Sequence, residues 1–340
     1  MNAHMKALVY TSPKTMEYRE APMPMPGEGE SLIRIEAAGI CGSDMHAWHG
    51  HDPRRTPPMI LGHEVAGTVV QGKQAGRKVT MNPLIVCGHC EYCRAGRDNL
   101  CANRTMIGMT RPGGFAQFIT IPDHCLVPID GDVDIARAAG TEPTAVCLHA
   151  IHVAKAQPNI RDLPDQRVLI IGAGSVGIMT ALLLRTFGVL DITIAETNPH
   201  RRLTARNATG AHVIDPLQKA VEDKTFHGVF DCVGATSTRA ASLAGVKDGG
   251  YVIHVGLQQA GGEFDARRVT LGEIVFAGVY TYTMAEFREA LELLSGNDLG
   301  DFAWMHEDAL QGGGECFHAI DQGSTLAAKI VLRPEHGSQT

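Results

Sequence analysis

The sequence predicts an α/β protein in which a mainly β amino-terminal half precedes a doubly wound parallel sheet. Residues 5–150 of the 340-residue chain consist of short β-type stretches separated by glycine and proline. Residues beyond 155 alternate apolar strands with helical runs, and a glycine-rich turn joins the first of these strands to a helix. These observations predict two domains, each large enough to bury its own core.

Short strands with turn residues at their ends account for the first half. Residues 32–37, 65–70 and 115–119 are clear examples, because branched and aromatic side chains are frequent in them. The composition changes at the polar, proline-bearing stretch 157–165, so we expect a domain boundary near it. The expected division is residues 1–150 for the first domain, 151–283 for the second and 284–340 for a segment that returns to the first.

The second half contains five predicted strands, several of which end at a glycine, as a tight βα turn requires. They cover residues 167–171, 191–195, 229–232, 251–255 and 274–279. An amphipathic helix is predicted at 284–294, and a last strand at 328–332 is expected to pack on the first domain.

Composition limits the classes of partner. A formal net charge of -7 disfavours nucleic acid, because binding a polyanion needs a basic surface. The longest apolar passage, residues 168–184, is interrupted by glycine and falls short of a bilayer span, so no membrane partner is expected. The amino terminus lacks an export pattern, which predicts a cytoplasmic protein.

The glycine-rich turn, Gly-Ala-Gly-Ser-Val-Gly at 172–177, has the pattern of a dinucleotide site. The first glycine permits the tight turn, the second lets the main chain approach a pyrophosphate, and the third allows close packing of helix and strand. Glu196 ends the next strand, where its carboxylate can bind ribose hydroxyls and repel a 2′-phosphate, which favours NAD. Arg201 and Arg202 follow and leave NADP as an alternative. A turn that binds nothing is the other alternative.

Four of the nine cysteines form a lobe at about 86–102. The spacing of Cys87, Cys90, Cys93 and Cys101 lets one loop surround a tetrahedral ion. Four thiolates saturate zinc and leave no position for substrate, so the predicted zinc is structural. An iron–sulfur cluster and disulfides are the alternatives.

A second set of ligand-type residues is scattered along the chain. Cys41 stands in Gly-Ile-Cys-Gly-Ser-Asp-Met-His, His63 and Glu64 stand in Gly-His-Glu-Val-Ala-Gly, and Glu142 precedes a proline. Together with the cysteine lobe and the glycine turn, in this order, these motifs resemble the zinc-containing medium-chain dehydrogenase family, most closely its sorbitol and polyol dehydrogenase-like branch. The resemblance covers nearly the whole chain.

The resemblance implies a GroES-like catalytic domain, a Rossmann NAD-binding domain inserted before its last segment, and a catalytic zinc between them. Cys41 and His63 look like ligands of that zinc. Glu64 and Glu142 would supply the remaining oxygen ligation, directly or through a water, and the sequence does not rank them. The implied reaction oxidises a secondary alcohol or polyol to a ketone by hydride transfer to NAD.

Ser43 and His46 match the family's hydroxyl-to-imidazole proton relay. The alternative interpretations are that Ser43 caps a helix and that His46 is an ordinary surface histidine. Two zinc ions per chain and a homodimer or homotetramer are expected. The expected cofactor contacts are Gly172, Gly174, Ser175, Val176, Gly177, Glu196, Arg201, Val255, Gly256 and Leu257.

The chain departs from the sorbitol dehydrogenase pattern at Thr281, where that pattern has an arginine that holds substrate hydroxyls. A threonine makes no forked, charged contact, so the identity of the alcohol stays open. The predicted substrate contacts are Trp48, Thr281 and Tyr282. Two other functions are alternatives: a zinc-free quinone or alkene reductase of the same superfamily, and a non-catalytic protein that binds NAD and zinc.

Overall fold

The computed structural model describes residues 3–157 and 162–336. The stretch expected to mark the domain boundary, 157–165, therefore lies partly outside the described residues, as do both ends of the chain. Within the described ranges, no helix is long and apolar enough to cross a membrane.

The amino-terminal half is built from short strands around β3, whose side chains are buried on both faces because other elements cover the sheet on both sides. The strands are β1 (His4–Ser12), β2 (Thr15–Pro22), β3 (Glu30–Gly39), β4 (Met59–Ile60), β5 (Glu64–Gln71), β6 (Lys78–Met81), β7 (Leu84–Ile85), β8 (Thr105–Met106), β9 (Phe118–Pro122) and β10 (Leu126–Pro128). β3 pairs antiparallel with β5 and with β9. β2, β1 and β4 form a second sheet, and β7 pairs with β8.

The second half contains a six-stranded sheet in which every neighbouring pair is parallel. Its strands are β11 (Arg167–Ile171), β12 (Asp191–Ala195), β13 (His212–Ile214), β14 (Phe226–Asp231), β15 (Val246–His254) and β16 (Val275–Gly278). Their spatial order is β13-β12-β11-β14-β15-β16, with β11 in the interior of the sheet. The predicted doubly wound parallel sheet is therefore confirmed.

Helices cover both faces of the parallel sheet and connect the two halves. They are α1 (Gly42–Trp48), α2 (Glu91–Arg94), α3 (Ile135–Ala139), α4 (Thr141–Lys155), α5 (Ser175–Thr186), α6 (Pro199–Thr209), α7 (Thr236–Gly245), α8 (Ala266–Leu271), α9 (Met284–Ser295) and α10 (Gly313–Asp321). Single 3-10 turns occupy Asp98–Leu100, Asp123–Cys125, Leu163–Asp165 and Leu310–Gly312. α4 packs on α5 and α9 and runs through residue 150, so the expected boundary at that residue falls inside a helix.

The last described strands lie in the sheet of the amino-terminal half. β17 (Met305–Ala309) pairs parallel with β18 (Lys329–Arg333), and β18 pairs antiparallel with β3, so that Val331 faces Gly39. This pairing brings Lys329, at the start of β18, beside the residues that follow β3. The end of the sequence therefore contributes to a site formed near its beginning.

Candidate active site

A cleft of about 690 Å³ lies where the carboxyl ends of β11 and β14 face α1 and β18. Cys41, His46 and Lys329 line one side of it, and Gly174 and Glu196 line the other. Ligands of open parallel sheets bind at the carboxyl ends of the strands, and a cavity of this size suits a cofactor.

The glycine turn forms an open cradle at the amino end of α5. Gly172 has φ +97°, a conformation that favours glycine. A Cβ on Gly177 would lie 1.9 Å from the carbonyl oxygen of Gly172, so this glycine is needed for close packing. A Cβ on Gly174 would meet no atom within 4 Å, because that position faces the cleft. The open position and the free helix amides fit a pyrophosphate.

Glu196 is buried at the end of β12 and is held by the main chain. Its Oε2 accepts a hydrogen bond from the Ala173 amide at 2.8 Å, and its Oε1 accepts one from the Asn198 amide at 2.8 Å. Arg201 lines the same cleft. Arg202 does not, because its guanidinium pairs with Asp215 at 3.1 Å.

The predicted cofactor residues divide into two groups. The structure places Gly172, Gly174, Ser175, Val176, Gly177, Glu196 and Arg201 on the cleft wall. At the end of β15 the wall is formed instead by Gln258 and Gln259, whereas Leu257 is 70 % exposed and lies outside the lining with Val255 and Gly256. Sequence reasoning missed these glutamines because a loop after a strand has no periodic pattern. The contacts of 255–257 with a cofactor stay a prediction.

Cys41, His63 and Glu64 converge beside the cleft, with one ligand atom of each lying within 4.8 Å of the others. Cys41 precedes α1, and the other two stand where β5 begins next to β3. Ser43 Oγ lies 3.4 Å from His63 Nε2, and Asp44 Oδ1 lies 3.4 Å from His63 Nδ1. A carboxylate behind an imidazole is a common arrangement for a zinc ligand, and sulfur with nitrogen suits zinc. The donor set therefore fits this ion.

Glu64 forms a buried ion pair that the sequence did not reveal. Lys329 Nζ donates to both carboxylate oxygens of Glu64, at 2.6 and 2.7 Å, and to the carbonyl oxygen of Ile40 at 2.9 Å. The two side chains are 3 % and 1 % exposed. The only signal in the sequence is one lysine within the apolar last strand. Both oxygens of Glu64 are thus already engaged by a cation.

Glu142 stands in the first turn of α4, outside the 4.8 Å group. Tyr282 Oη donates to its Oε1 at 2.9 Å. Burial, together with the nearby charge of Glu64, raises the pKa of Glu142 to about 7. Tyr282 is fully buried in this structure, and its contact with substrate stays a prediction. Its ring packs on Phe287 and its hydroxyl positions Glu142.

The other two predicted substrate contacts, Trp48 and Thr281, have different surroundings. Trp48 is fully buried and packs on Phe317, because it lies on the face of α1 that turns to the core, and its contact with substrate stays a prediction. Thr281 has φ +51°, and among the described residues its buried Oγ1 has no hydrogen-bond partner. Backbone strain and an unsatisfied hydroxyl are frequent at functional sites. Thr281 lies outside the cleft lining, so its contact with substrate stays a prediction.

Ser43 and His46 lie one turn apart on α1. Cys41, not Ser43, is the residue that precedes the helix as its cap. His46 lines the cleft, and burial, followed by the charges of His51 and His49, lowers its pKa.

The four-cysteine lobe is assembled with the spacing of a metal site. The Sγ atoms are 3.5 Å apart in Cys90–Cys93 and in Cys87–Cys101, and 3.9 Å apart in Cys87–Cys93. Four sulfurs bound tetrahedrally to zinc at ~2.3 Å would be about 3.8 Å apart. These distances exceed a disulfide bond of about 2.05 Å and fit zinc.

Comparisons with known proteins agree with this geometry. The family described as alcohol dehydrogenase GroES-like domain matches residues 27–131, and the zinc-binding dehydrogenase family matches residues 175–296. An L-threonine 3-dehydrogenase of Rhizobium johnstonii is 33% identical over 98% of this chain and 99% of its own length. The L-galactonate-5-dehydrogenase of Escherichia coli is 30% identical over 89% of this chain and 91% of its own length.

Among solved structures, the acetophenone reductase of Geotrichum candidum in complex with NAD is 28% identical, with a TM-score of 0.87 over 98% of both chains. The matches span both halves of the molecule, including the glycine turn, the cysteine lobe and the Cys41–His63 segment. The chain therefore belongs to the zinc-containing medium-chain dehydrogenase family, in its polyol dehydrogenase-like branch, and is an oxidoreductase that acts on alcohols.

Proposed function

We propose that this chain is an NAD-dependent dehydrogenase with one catalytic and one structural zinc, which oxidises a secondary alcohol to a ketone. One observation carries the proposal: Cys41, a member of the metal-ligand group with His63, lines the same cleft as the glycine turn at Gly174. Hydride transfer from an alcohol needs a metal centre and a nicotinamide in one enclosed site.

Cys41 and His63 would hold the catalytic zinc. Because Lys329 engages both oxygens of Glu64, we propose Glu142 as the third protein ligand. The sequence did not rank Glu64 and Glu142 as zinc ligands, and we propose the second. The zinc would supply a Lewis acid that lowers the pKa of the substrate hydroxyl.

Ser43 and His46 move the proton of that hydroxyl out of the cleft. Ser43 Oγ stands beside the imidazole of His63, and His46 faces the cleft. Burial lowers the pKa of His46, so its imidazole is mostly neutral near pH 7 and can accept a proton.

NAD is proposed over NADP because of Glu196. Its carboxylate lies on the cleft wall with its orientation fixed by two main-chain amides. It can still accept hydrogen bonds from ribose hydroxyls, since a carboxylate has about four acceptor sites. A 2′-phosphate there would meet like charge.

The substrate is proposed to be a polyol or a hydroxy acid. By their names, the two relatives described above act on L-galactonate at C5 and on L-threonine at C3, and each compound carries a secondary hydroxyl at that carbon and a carboxylate. The buried Oγ1 of Thr281 has no hydrogen-bond partner in the described part of the chain, which supports a contact with a substrate hydroxyl.

The test is a panel of L-threonine, L-galactonate, sorbitol and 2-butanol, with NAD and NADP in parallel and NADH formation followed by absorbance. Turnover of at least one secondary alcohol with NAD supports the proposal. Turnover with none of them, by protein containing zinc, would contradict it.

The two other functions fit the site less well. A zinc-free reductase would leave the Cys41–His63 group and the ion pair behind it without a role. A non-catalytic protein would not need Ser43 and His46 beside them. The same panel, extended to quinone reduction with NADPH, distinguishes them.

We also propose that the chain forms a homo-oligomer in the cytoplasm. β16 is an edge strand, and the neighbouring Phe264 and Leu271 are exposed, which favours pairing with a second copy. All nine cysteines are free, in keeping with a reducing compartment. Light scattering after size-exclusion chromatography tests the oligomeric state, and a monomer at micromolar concentration would contradict the proposed homo-oligomer.

A further inference from the structure

Arg55 is a buried arginine next to the proposed proton relay. It lies in the loop between α1 and β4, and its side chain is 1 % exposed. An arginine this deeply buried needs partners for its charge and its donors. Asp52 is 3.7 Å from Nη1 of Arg55, but it makes a closer forked contact with Arg54, at 2.8 and 3.0 Å. The ion pair alone therefore does not account for the position of Arg55.

The closest contacts of Arg55 are with Ser43 and the main chain. Its Nη1 donates to the carbonyl oxygen of Ser43 at 2.5 Å, and its Nη2 lies 3.3 Å from Ser43 Oγ. Its Nε donates to the carbonyl oxygen of Gly108 at 2.9 Å and so fixes the plane of the guanidinium. One planar group thus binds both the backbone and the hydroxyl of Ser43, which a single-point lysine ammonium cannot reproduce.

We propose that Arg55 is a positioning residue, which orients the Ser43 hydroxyl for proton transfer. This inference rests on the proposed function, in which Ser43 belongs to the relay. A serine hydroxyl has one hydrogen to donate and two sites that accept. Arg55 always carries its protons and occupies one accepting site, so Ser43 keeps one site that accepts and one hydrogen that it donates.

With one accepting site and one hydrogen to donate, Ser43 can take a proton from the substrate side and pass another one on. In oxidation, Ser43 Oγ accepts the proton of the substrate hydroxyl at its remaining site and gives its own hydrogen to the imidazole of His46. The charge of Ser43 is therefore unchanged at the end of the step, and the proton is on His46. The fixed positive charge 3.3 Å away stabilises negative charge that develops on Oγ while the protons move. Arg55 touches neither the substrate nor the cofactor in this account.

The test compares Arg55→Lys with the control Arg54→Lys. Both changes keep the charge and remove a guanidinium from the same loop, but the side chain of Arg54 contacts Asp52 and Tyr280 and not Ser43. High-resolution crystal structures of the wild type and both variants show the rotamer of Ser43. Steady-state rates with NAD and L-threonine, L-galactonate or sorbitol are measured for these proteins, for Ser43→Ala and for Ser43→Ala/Arg55→Lys.

We expect Ser43 Oγ to leave its position near His63 in Arg55→Lys and to stay in Arg54→Lys. The value of kcat should fall about 10- to 100-fold in Arg55→Lys, the effect of losing a hydrogen bond to a charged group, while the KM for NAD changes little. The double variant should be no slower than Ser43→Ala, because Arg55 acts through that hydroxyl. Should Arg55→Lys not fold, Arg55→Gln replaces it with the same expected outcomes.

An unmoved Ser43 in the variant, equal rates in Arg55→Lys and Arg54→Lys, or additive effects in the double variant would overturn the positioning role and leave the proposed function intact. A wild type that contains zinc and oxidises none of the four alcohols of the panel, with Ser43 displaced in Arg55→Lys, would instead overturn the proposed function and leave the positioning of Ser43 by Arg55 intact.

Discussion

Asp44 organises the loop around the candidate metal ligands. This fully buried carboxylate accepts hydrogen bonds from the Cys41 amide at 3.0 Å and from the Gly62 amide at 3.4 Å, and it lies 3.4 Å from His63 Nδ1. Two chain segments that are distant in sequence are therefore tied together before any metal arrives. Preorganisation of this kind keeps ligand atoms near their working positions.

Glu196 gives the sharpest prediction for a single side chain. Glu196→Ser should relax the preference for NAD towards NADP, because it removes both the acceptor for ribose hydroxyls and the charge that repels a 2′-phosphate. Each such contact contributes roughly 1–3 kcal/mol, so the ratio of kcat/KM for the two cofactors should change by about tenfold or more. The matched control is Glu315→Ser, a change in α10. An unchanged ratio would contradict the assigned role.

Glu142 should make the stability of the metal-free protein depend on pH. Its pKa is raised to about 7 in the folded chain, mainly by burial, so the folded state binds this proton more tightly than the unfolded state. The stabilisation is complete below its ordinary pKa of 4.5 and is lost as pH rises through about 7.

The free energy of unfolding should therefore change less with pH in Glu142→Gln than in the wild type, by about 1 kcal/mol or more between about pH 5 and about pH 8. Urea unfolding in the presence of a chelator measures it, with the exposed Glu20→Gln as control. Equal slopes in wild type and Glu142→Gln would show that burial does not shift this group.

Strand β18 contributes the charge of Lys329 to the site as well as backbone pairing with β3. Lys329→Met would leave the Glu64 carboxylate buried without its cation, which should lower the free energy of unfolding by about 3–5 kcal/mol. Lys329→Met/Glu64→Gln should recover part of this loss, since it removes the unpaired charge. Thermal and urea unfolding of the three proteins provide the measurement. A double variant less stable than Lys329→Met would contradict this explanation.

The cysteine lobe should contribute folding energy and no chemistry. Cys90→Ser opens a four-sulfur site and should lower the melting temperature and the yield of folded protein, because metal binding there is coupled to folding. Cys316→Ala, which removes a buried thiol outside any metal group, should change both much less. A Cys90→Ser protein with unchanged melting temperature and no activity would refute this separation of roles.

Local patterns predicted the regular elements well. The strands at 167–171 and 191–195 coincide with β11 and β12, and the helix predicted at 284–294 matches α9 within one residue at its end, because each has an unambiguous apolar period. β13 has only three residues and was not predicted. Such a short strand exists through its pairing with β12.

At the scale of the whole molecule, the parts of the site that were missed are those created by tertiary contact. Motif spacing predicted Cys41, His63 and the glycine turn because each belongs to a compact local pattern. Lys329 pairs with a glutamate 265 positions away, and the two contacts of Arg55 with Ser43 cross a loop, so neither leaves a signal in the sequence. The burial of Trp48 is not evident from the sequence, because sequence alone does not show which face of α1 turns to the core.

In the proposed function, turnover depends on a zinc ion held at Cys41 and His63, separate from the zinc of the cysteine lobe. Zinc content per chain, measured by mass spectrometry alongside the rate of NADH formation, tests it in wild type and Cys41→Ala. We expect about two zinc ions per chain in the wild type and about one in Cys41→Ala, which should bind NADH normally but show no turnover. One zinc per chain in an active wild type, or turnover by Cys41→Ala near the wild-type rate, would contradict it.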